Sequence, residues 1–344
     1  MLSNLVKIIV PGILAFAFGI LCAPILTNFL YKNKLWKKTS VPKSLDGGSA
    51  SISQKLHDDE NRKTPRMGGI LVWGSVFVVS VILQLINVSD FSFVSRSQTW
   101  LPFFTLIVMA LIGLIDDYQV CKDTGGHVGG GLSLKKRILL VFIVGLIGAL
   151  WFYTKLEVTS IIVPFFGELQ LGILFIPIFI FAMLAIYAGG IIDGIDGLAG
   201  GIFSIIYTTY AVIAFMHGQY DLSAFCMAIS GGLLAFLWFN IPPARFFLSE
   251  TGTMALTTTL VVVAFLTKAV IVLPIIALPL IVTALSSIIQ IFSKRFRNGK
   301  KVFLVAPLHN HFQAMGWPPY KVVMRYWIIS LFFALFGLIL TLVG

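Results

Sequence analysis

Five of the chain's 14 acidic residues fall in patterns that could do chemistry. Asp116 and Asp117 are adjacent in GLIDDY, Asp193 and Asp196 stand three apart in DGIDG, and Glu250 lies in SETGT. On a helix, adjacent side chains diverge by about 100°. Two like charges that close raise one another's pKa unless a cation neutralises them. A hard divalent ion such as Mg²⁺ would do so, since it prefers carboxylate, phosphate and water oxygens. The spacing of Asp193 and Asp196 predicts both acids on one helix face. Gly190, Gly194, Gly197 and Gly200 around them permit close backbone approach by a ligand, and equally serve helix packing. Ser249 or Thr251 is expected to N-cap the helix that carries Glu250, a start that could also hold an anion. The segment KTPRMGG, from Lys63 to Gly69, opens another apolar run, with Pro65 near its first turn. His309 and His311 lie in PLHNHF without a neighbouring Cys or third His. Imidazoles beside an anionic substrate fit better than zinc ligands there.

Composition decides what must position these groups. Hydrophobic residues make up 58% of the 344 and charged residues 11%, with a mean hydropathy of +0.96. Soluble domains carry about 25% charge. This chain has too little polar surface to cover a water-soluble globule, and it is too rich in aliphatic and aromatic residues for disorder. The apolar runs are long and continuous, which excludes a barrel. We read an all-α integral membrane protein, a single polytopic domain over 1–344. Ten spans are expected, at about 5–31, 67–88, 100–115, 138–154, 171–192, 198–216, 222–240, 251–267, 269–292 and 326–343. A loosely alternating stretch, 157–170, with Pro164 and Gly167 inside it, is expected to form a short external β-hairpin. Gly129, Gly130 and Gly131 read as an inserted flexible linker.

Charge orients the bundle. Of the 25 Lys and Arg residues, only Lys7, Arg96, Lys155 and Lys268 fall on one side of these spans. The positive-inside rule then places both termini outside and the loops at about 32–66, 116–137, 190–198, 240–252 and 293–325 in the cytoplasm. All five acids sit at cytoplasmic helix ends. The net charge of +11 follows from topology, so nucleic acid is not required as a partner. The N-terminal run lacks an A-x-A site and is expected to stay as a span. Three cysteines without CxxC spacing give no disulfide framework.

Together these motifs resemble phospho-N-acetylmuramoyl-pentapeptide transferase, the MraY family of polyprenyl-phosphate phosphosugar transferases. TPRMGG resembles the family's TPTMGG, GLIDDY matches it, and DGIDGLAGG resembles TDGLDGLAGG. SETGTM resembles GDTGSL, while PLHNHF with GWPPYKVVMRYWIIS resembles PIHHHF and its tail. The ten-span layout agrees. The resemblance implies transfer of phospho-MurNAc-pentapeptide from UDP-MurNAc-pentapeptide to undecaprenyl phosphate, giving lipid I and UMP, in a bacterial plasma membrane with the site facing the cytoplasm. It also implies Mg²⁺ held by Asp117 and Glu250, and Asp116 beside the lipid phosphate. Gly194, Ile195, Asp196, Asn240 and Phe247 would line a uridine pocket, Lys63 and Asp193 would approach the pyrophosphate, and His309 and His311 would contact substrate. A homodimer is compatible with it. The chain departs from the family at Arg66, Gly190, Ile192, Glu250 and Asn310. A sister transferase of HexNAc-1-phosphate, a weakly active scaffold homologue and a membrane transporter stand as alternatives.

Overall fold

The computed structural model describes residues 2–37, 63–86, 91–124 and 130–344. Most of the expected 32–66 loop and Gly129 therefore lie outside the described residues. The helices are α1 (Leu2–Lys32), α2 (Gly69–Leu85), α3 (Trp100–Lys122), α4 (Leu134–Lys155), α5 (Phe175–Ala188), α6 (Leu198–Met216), α7 (Tyr220–Asn240), α8 (Ser249–Leu266), α9 (Leu278–Phe296), α10 (Leu308–Ala314) and α11 (Pro319–Val343). Among the described residues, nine helical segments are long and apolar enough to cross a membrane, and the 17-residue α2 is apolar as well. The ten expected spans are thus all helical. The chain is an all-α membrane protein.

Among the described residues, the one sheet is the expected hairpin. Strands β1 (Ser160–Val163) and β2 (Gly167–Gln170) pair antiparallel, with Ile161 opposite Leu169. Gly167 turns the chain at a φ of +81°. The hairpin follows α4, so the length of that 22-residue helix, roughly 33 Å at 1.5 Å per residue, separates it from the start of α4.

The centre of the bundle is α8. Nearly all of its residues are buried, whereas most of α11 is exposed and left to lipid. A buried helix rich in hydroxyls must satisfy them internally. Thr257 and Thr258 donate to the carbonyls of Thr253 and Met254 in the preceding turn, and Tyr207 of α6 donates to the Leu256 carbonyl at 2.6 Å. Around α8 lie α3, α5 and α2, while α7 is packed between α1 and α6.

Three boundaries differ from expectation. The third span does not stop at Ile115; α3 continues to Lys122, because Asp116 and Asp117 find partners inside the protein and lie fully buried. The ninth span is broken into a helical turn, Leu273–Ile276, and α9. Each piece opens on a proline, which starts a helix well but cannot continue one. The last helix begins at Pro319, seven residues before the expected 326.

Candidate active site

The site is built where α3 crosses α8. Gly113 makes the crossing close: a Cβ there would stand 2.3 Å from the Glu250 carbonyl oxygen. One turn further along α3, Asp117 reaches the first turn of α8. Its Oδ2 accepts from the Thr251 N–H at 2.8 Å and from the Thr251 hydroxyl at 2.6 Å. Its Oδ1 accepts from Nε of Arg66 at 2.9 Å. Arg66 is delivered by the segment before α2, which is laced to the segment before α8. Phe247 N–H donates to the Pro65 carbonyl at 2.9 Å and Gly68 N–H to the Phe247 carbonyl at 2.8 Å. Burial acts most strongly against the Arg66 charge, but the acids around it, Asp117 first and then Glu250 and Asp193, together hold the guanidinium protonated beyond its ordinary range.

Asp116 and Glu250 share a second arginine. Arg137, in the first turn of α4, places Nη2 2.9 Å from Asp116 Oδ2 and Nη1 against Glu250 Oε1. The other oxygen of Asp116 accepts from the Leu132 N–H at 2.6 Å. That N–H is aimed by Gly130 and Gly131, which turn at φ of +76° and +82°. A Cβ on Gly131 would press on Val120 at 2.7 Å. These two glycines are not a loose linker: they form a packed turn that binds Asp116.

A third wall is the DGIDG segment. Asp193 and Asp196 do not share a helix face, because Asp193–Gly197 is an irregular turn between a 3₁₀ turn, Gly189–Ile192, and α6. Gly197, at φ +80°, breaks the helix there. The two carboxylates instead hold two backbones. Asp193 Oδ2 accepts from the Ser249 N–H at 2.7 Å, and Asp196 Oδ2 from the Ala244 N–H at 2.9 Å. Burial pushes the Asp193 carboxyl up to about 6, against the Ser249 hydrogen bond that favours its charge. Asn240 ties the turn to the same loop, accepting from Gly197 N–H at 2.8 Å and donating to the Phe246 carbonyl at 2.9 Å.

The structure therefore brings Asp116, Asp117, Asp193, Glu250, Asp196, Gly194, Ile195, Asn240 and the Phe247 backbone into one constellation. His309 joins it from α10, fully buried against Gly194. His311 is engaged within its own loop, accepting from the Leu304 N–H at 3.1 Å and meeting the Phe303 ring edge-on. Lys63 is exposed. The expected N-cap is absent, since no side chain caps α8 and the Thr251 hydroxyl goes to Asp117. Sequence reasoning passed over Arg137, which had counted only as a positive-inside charge. Its signal was a cation one turn into an apolar helix, close in sequence to the acids.

The acids supply the hard oxygens that Mg²⁺ favours. Yet both oxygens of Asp117 are engaged, and Glu250 is held by Arg137 and, at 3.4 Å, by Thr253. As arranged, Asp117 and Glu250 do not fit a bound divalent cation.

A membrane-embedded helical bundle with an acid and arginine cluster at one end of its central helix defines the class, and comparison agrees. Residues 99–268 match glycosyl transferase family 4. The chain is 36% identical over 314 residues to the phospho-N-acetylmuramoyl-pentapeptide-transferase of Pelagibacter ubique, covering 85% of this chain and 82% of that one. It is 32% identical to the protein of that name from Anoxybacillus flavithermus, over 94% and 95% of the two chains, and 32% identical to that of Rickettsia bellii, over 94% and 89%. The chain belongs to the phospho-N-acetylmuramoyl-pentapeptide-transferase family.

Proposed function

We propose that this protein transfers phospho-MurNAc-pentapeptide from UDP-MurNAc-pentapeptide to undecaprenyl phosphate in peptidoglycan synthesis. An oxygen of the lipid phosphate attacks the donor's β-phosphorus and forms a new P–O bond. The bond from that phosphorus to the bridging oxygen breaks, and UMP leaves with that oxygen. The observation that carries the reading is the single constellation made by five motifs from distant parts of the chain.

Phosphoryl transfer asks a protein for positioning and charge placement more than for covalent help. Arg66, held to Asp117 through Nε, has a planar guanidinium edge that matches phosphate oxygens, while Arg137 balances the charge of Asp116 and Glu250. In this reading Asp116 acts beside the lipid phosphate, which needs no strong base, since a monoester with a second pKa near 6 is largely dianionic at neutral pH. Asn240 and Asp196 hold the loop that would line the nucleoside, and His309 packs against the Gly194 turn. The charge asymmetry of the loops supports a site facing the cytoplasm.

The test is incubation of the purified protein with UDP-MurNAc-pentapeptide and undecaprenyl phosphate, followed by detection of UMP and the lipid-linked product. Competition with UDP-GlcNAc runs in parallel. Turnover of UDP-GlcNAc in preference would replace this reading with a HexNAc-1-phosphate transferase.

A further inference from the structure

The departure at position 66 and the contacts of Asp117 point to one conclusion. Where the resembling motif has an uncharged threonine, this chain carries Arg66, and its Nε lies 2.9 Å from Asp117 Oδ1. Asp117 is fully buried, and its second oxygen is filled by two donors from Thr251. Arg137 spans Asp116 and Glu250 in the same way. The three acids are thus faced by two fixed guanidiniums, leaving one unit of negative charge in place of three. A carboxylate that already holds a fixed cation in a charge-assisted hydrogen bond has little left for a mobile one.

We propose that Arg66 is a built-in counter-ion that occupies the cation position at Asp117, so that the substrate-free protein holds divalent cations only weakly. The inference deepens the reading of the same site, but it concerns metal binding without turnover. The activity assay above can therefore fail while this inference stands, and the reverse.

The test is titration of the purified, detergent-solubilised full chain with Mn²⁺, read by electron paramagnetic resonance of the free ion, and repeated as Mg²⁺-dependent thermal unfolding. The wild type should show weak binding and a melting temperature indifferent to Mg²⁺. Arg66→Thr should bind Mn²⁺ roughly ten- to hundredfold more tightly, the worth of one charge-assisted hydrogen bond to a buried acid. Its melting temperature should fall without metal and recover with it. Adding Asp117→Asn to Arg66→Thr should remove the gain. Arg66→Lys keeps a cation at the position and should stay close to wild type; it carries the comparison where Arg66→Thr does not fold. Tight, saturable Mn²⁺ binding by the wild type, or no tightening in Arg66→Thr, would overturn the proposal. So would a Lys variant that binds Mn²⁺ tightly while still folded.

Discussion

Gly194 and His309 meet so closely that a Cβ on the glycine would stand 2.4 Å from the imidazole Nε2. The glycine belongs to the turn before α6 and the histidine to α10, more than a hundred residues later. Their contact joins the last loop to the acid cluster. Overpacking a tight contact costs about 1–3 kcal/mol, and a buried ring has nowhere to go. Gly194→Ala should therefore lower the transferase rate at least about tenfold while the helical content by circular dichroism stays unchanged. A near-normal rate would mean that His309 does not need this seat.

Asp193 gives a pH signature. Its folded value of about 6 lies above the ordinary carboxylate value of 3.8, because burial disfavours the charge. A raised acid binds its proton more readily folded than unfolded, so its penalty is fully present above pH 6 and fades as pH falls towards 4. The melting temperature of the wild type relative to Asp193→Asn should therefore rise as pH is lowered through that window. A difference that is flat between pH 4 and 7 would place the carboxyl at its ordinary value.

Much of this was legible beforehand, for physical reasons. Spans declare themselves because a bilayer demands about 20 apolar residues with every backbone bond made internally. The hairpin showed in alternation around Gly167. The acids showed because charges are rare inside apolar helices. What stayed hidden was pairing. Nothing local in the sequence says that Arg66 and Asp117, 51 positions apart, or Arg137 and Glu250, 113 apart, make ion pairs. DGIDG was misread as helical because its spacing fits a helix, while glycine at Gly194 and Gly197 lets the backbone leave one.

Glu250 carries a longer arm than the aspartate of the resembling motif, by roughly one C–C bond, about 1.5 Å. In this chain that arm reaches Arg137. Glu250→Asp should keep substantial activity, since the shorter side chain still presents a carboxylate towards Arg137. Glu250→Gln and Glu250→Ala should lose nearly all of it, because the guanidinium then faces one acid instead of two. The three rates, measured by UMP release, order the series. A Gln variant at wild-type rate would show that the charge at this position is dispensable.

Orientation is open to chemical labelling. Phe166 at the hairpin tip is 89% exposed, and Lys300 lies in the basic loop after α9. The charge asymmetry predicts that they lie on opposite sides of the membrane. In intact cells an impermeant maleimide should label Phe166→Cys and spare Lys300→Cys until the membrane is opened. The reverse pattern would turn the acid cluster to the outside and remove its access to a cytoplasmic nucleotide donor.

Ser249 stands where the resembling motif has glycine, and its backbone shows why glycine suits the place. Its φ is +57°, in the left-handed region, where a Cβ costs on the order of 1 kcal/mol or more. Its hydroxyl is buried without a hydrogen-bond partner, a second cost of about 1–3 kcal/mol. The N–H of the same residue is held by Asp193, so the conformation is imposed by the site and not chosen by the side chain. Ser249→Gly removes both costs and adds back only the larger freedom of glycine in the unfolded chain. It should raise the melting temperature by a few degrees. Ser249→Ala separates the two terms, since it removes the hydroxyl and keeps the strained Cβ; it should gain less than the glycine variant. Equal gains would assign the whole cost to the hydroxyl. A loss of stability in both would mean that the hydroxyl has a bonded partner and that the strain at this turn is offset by it.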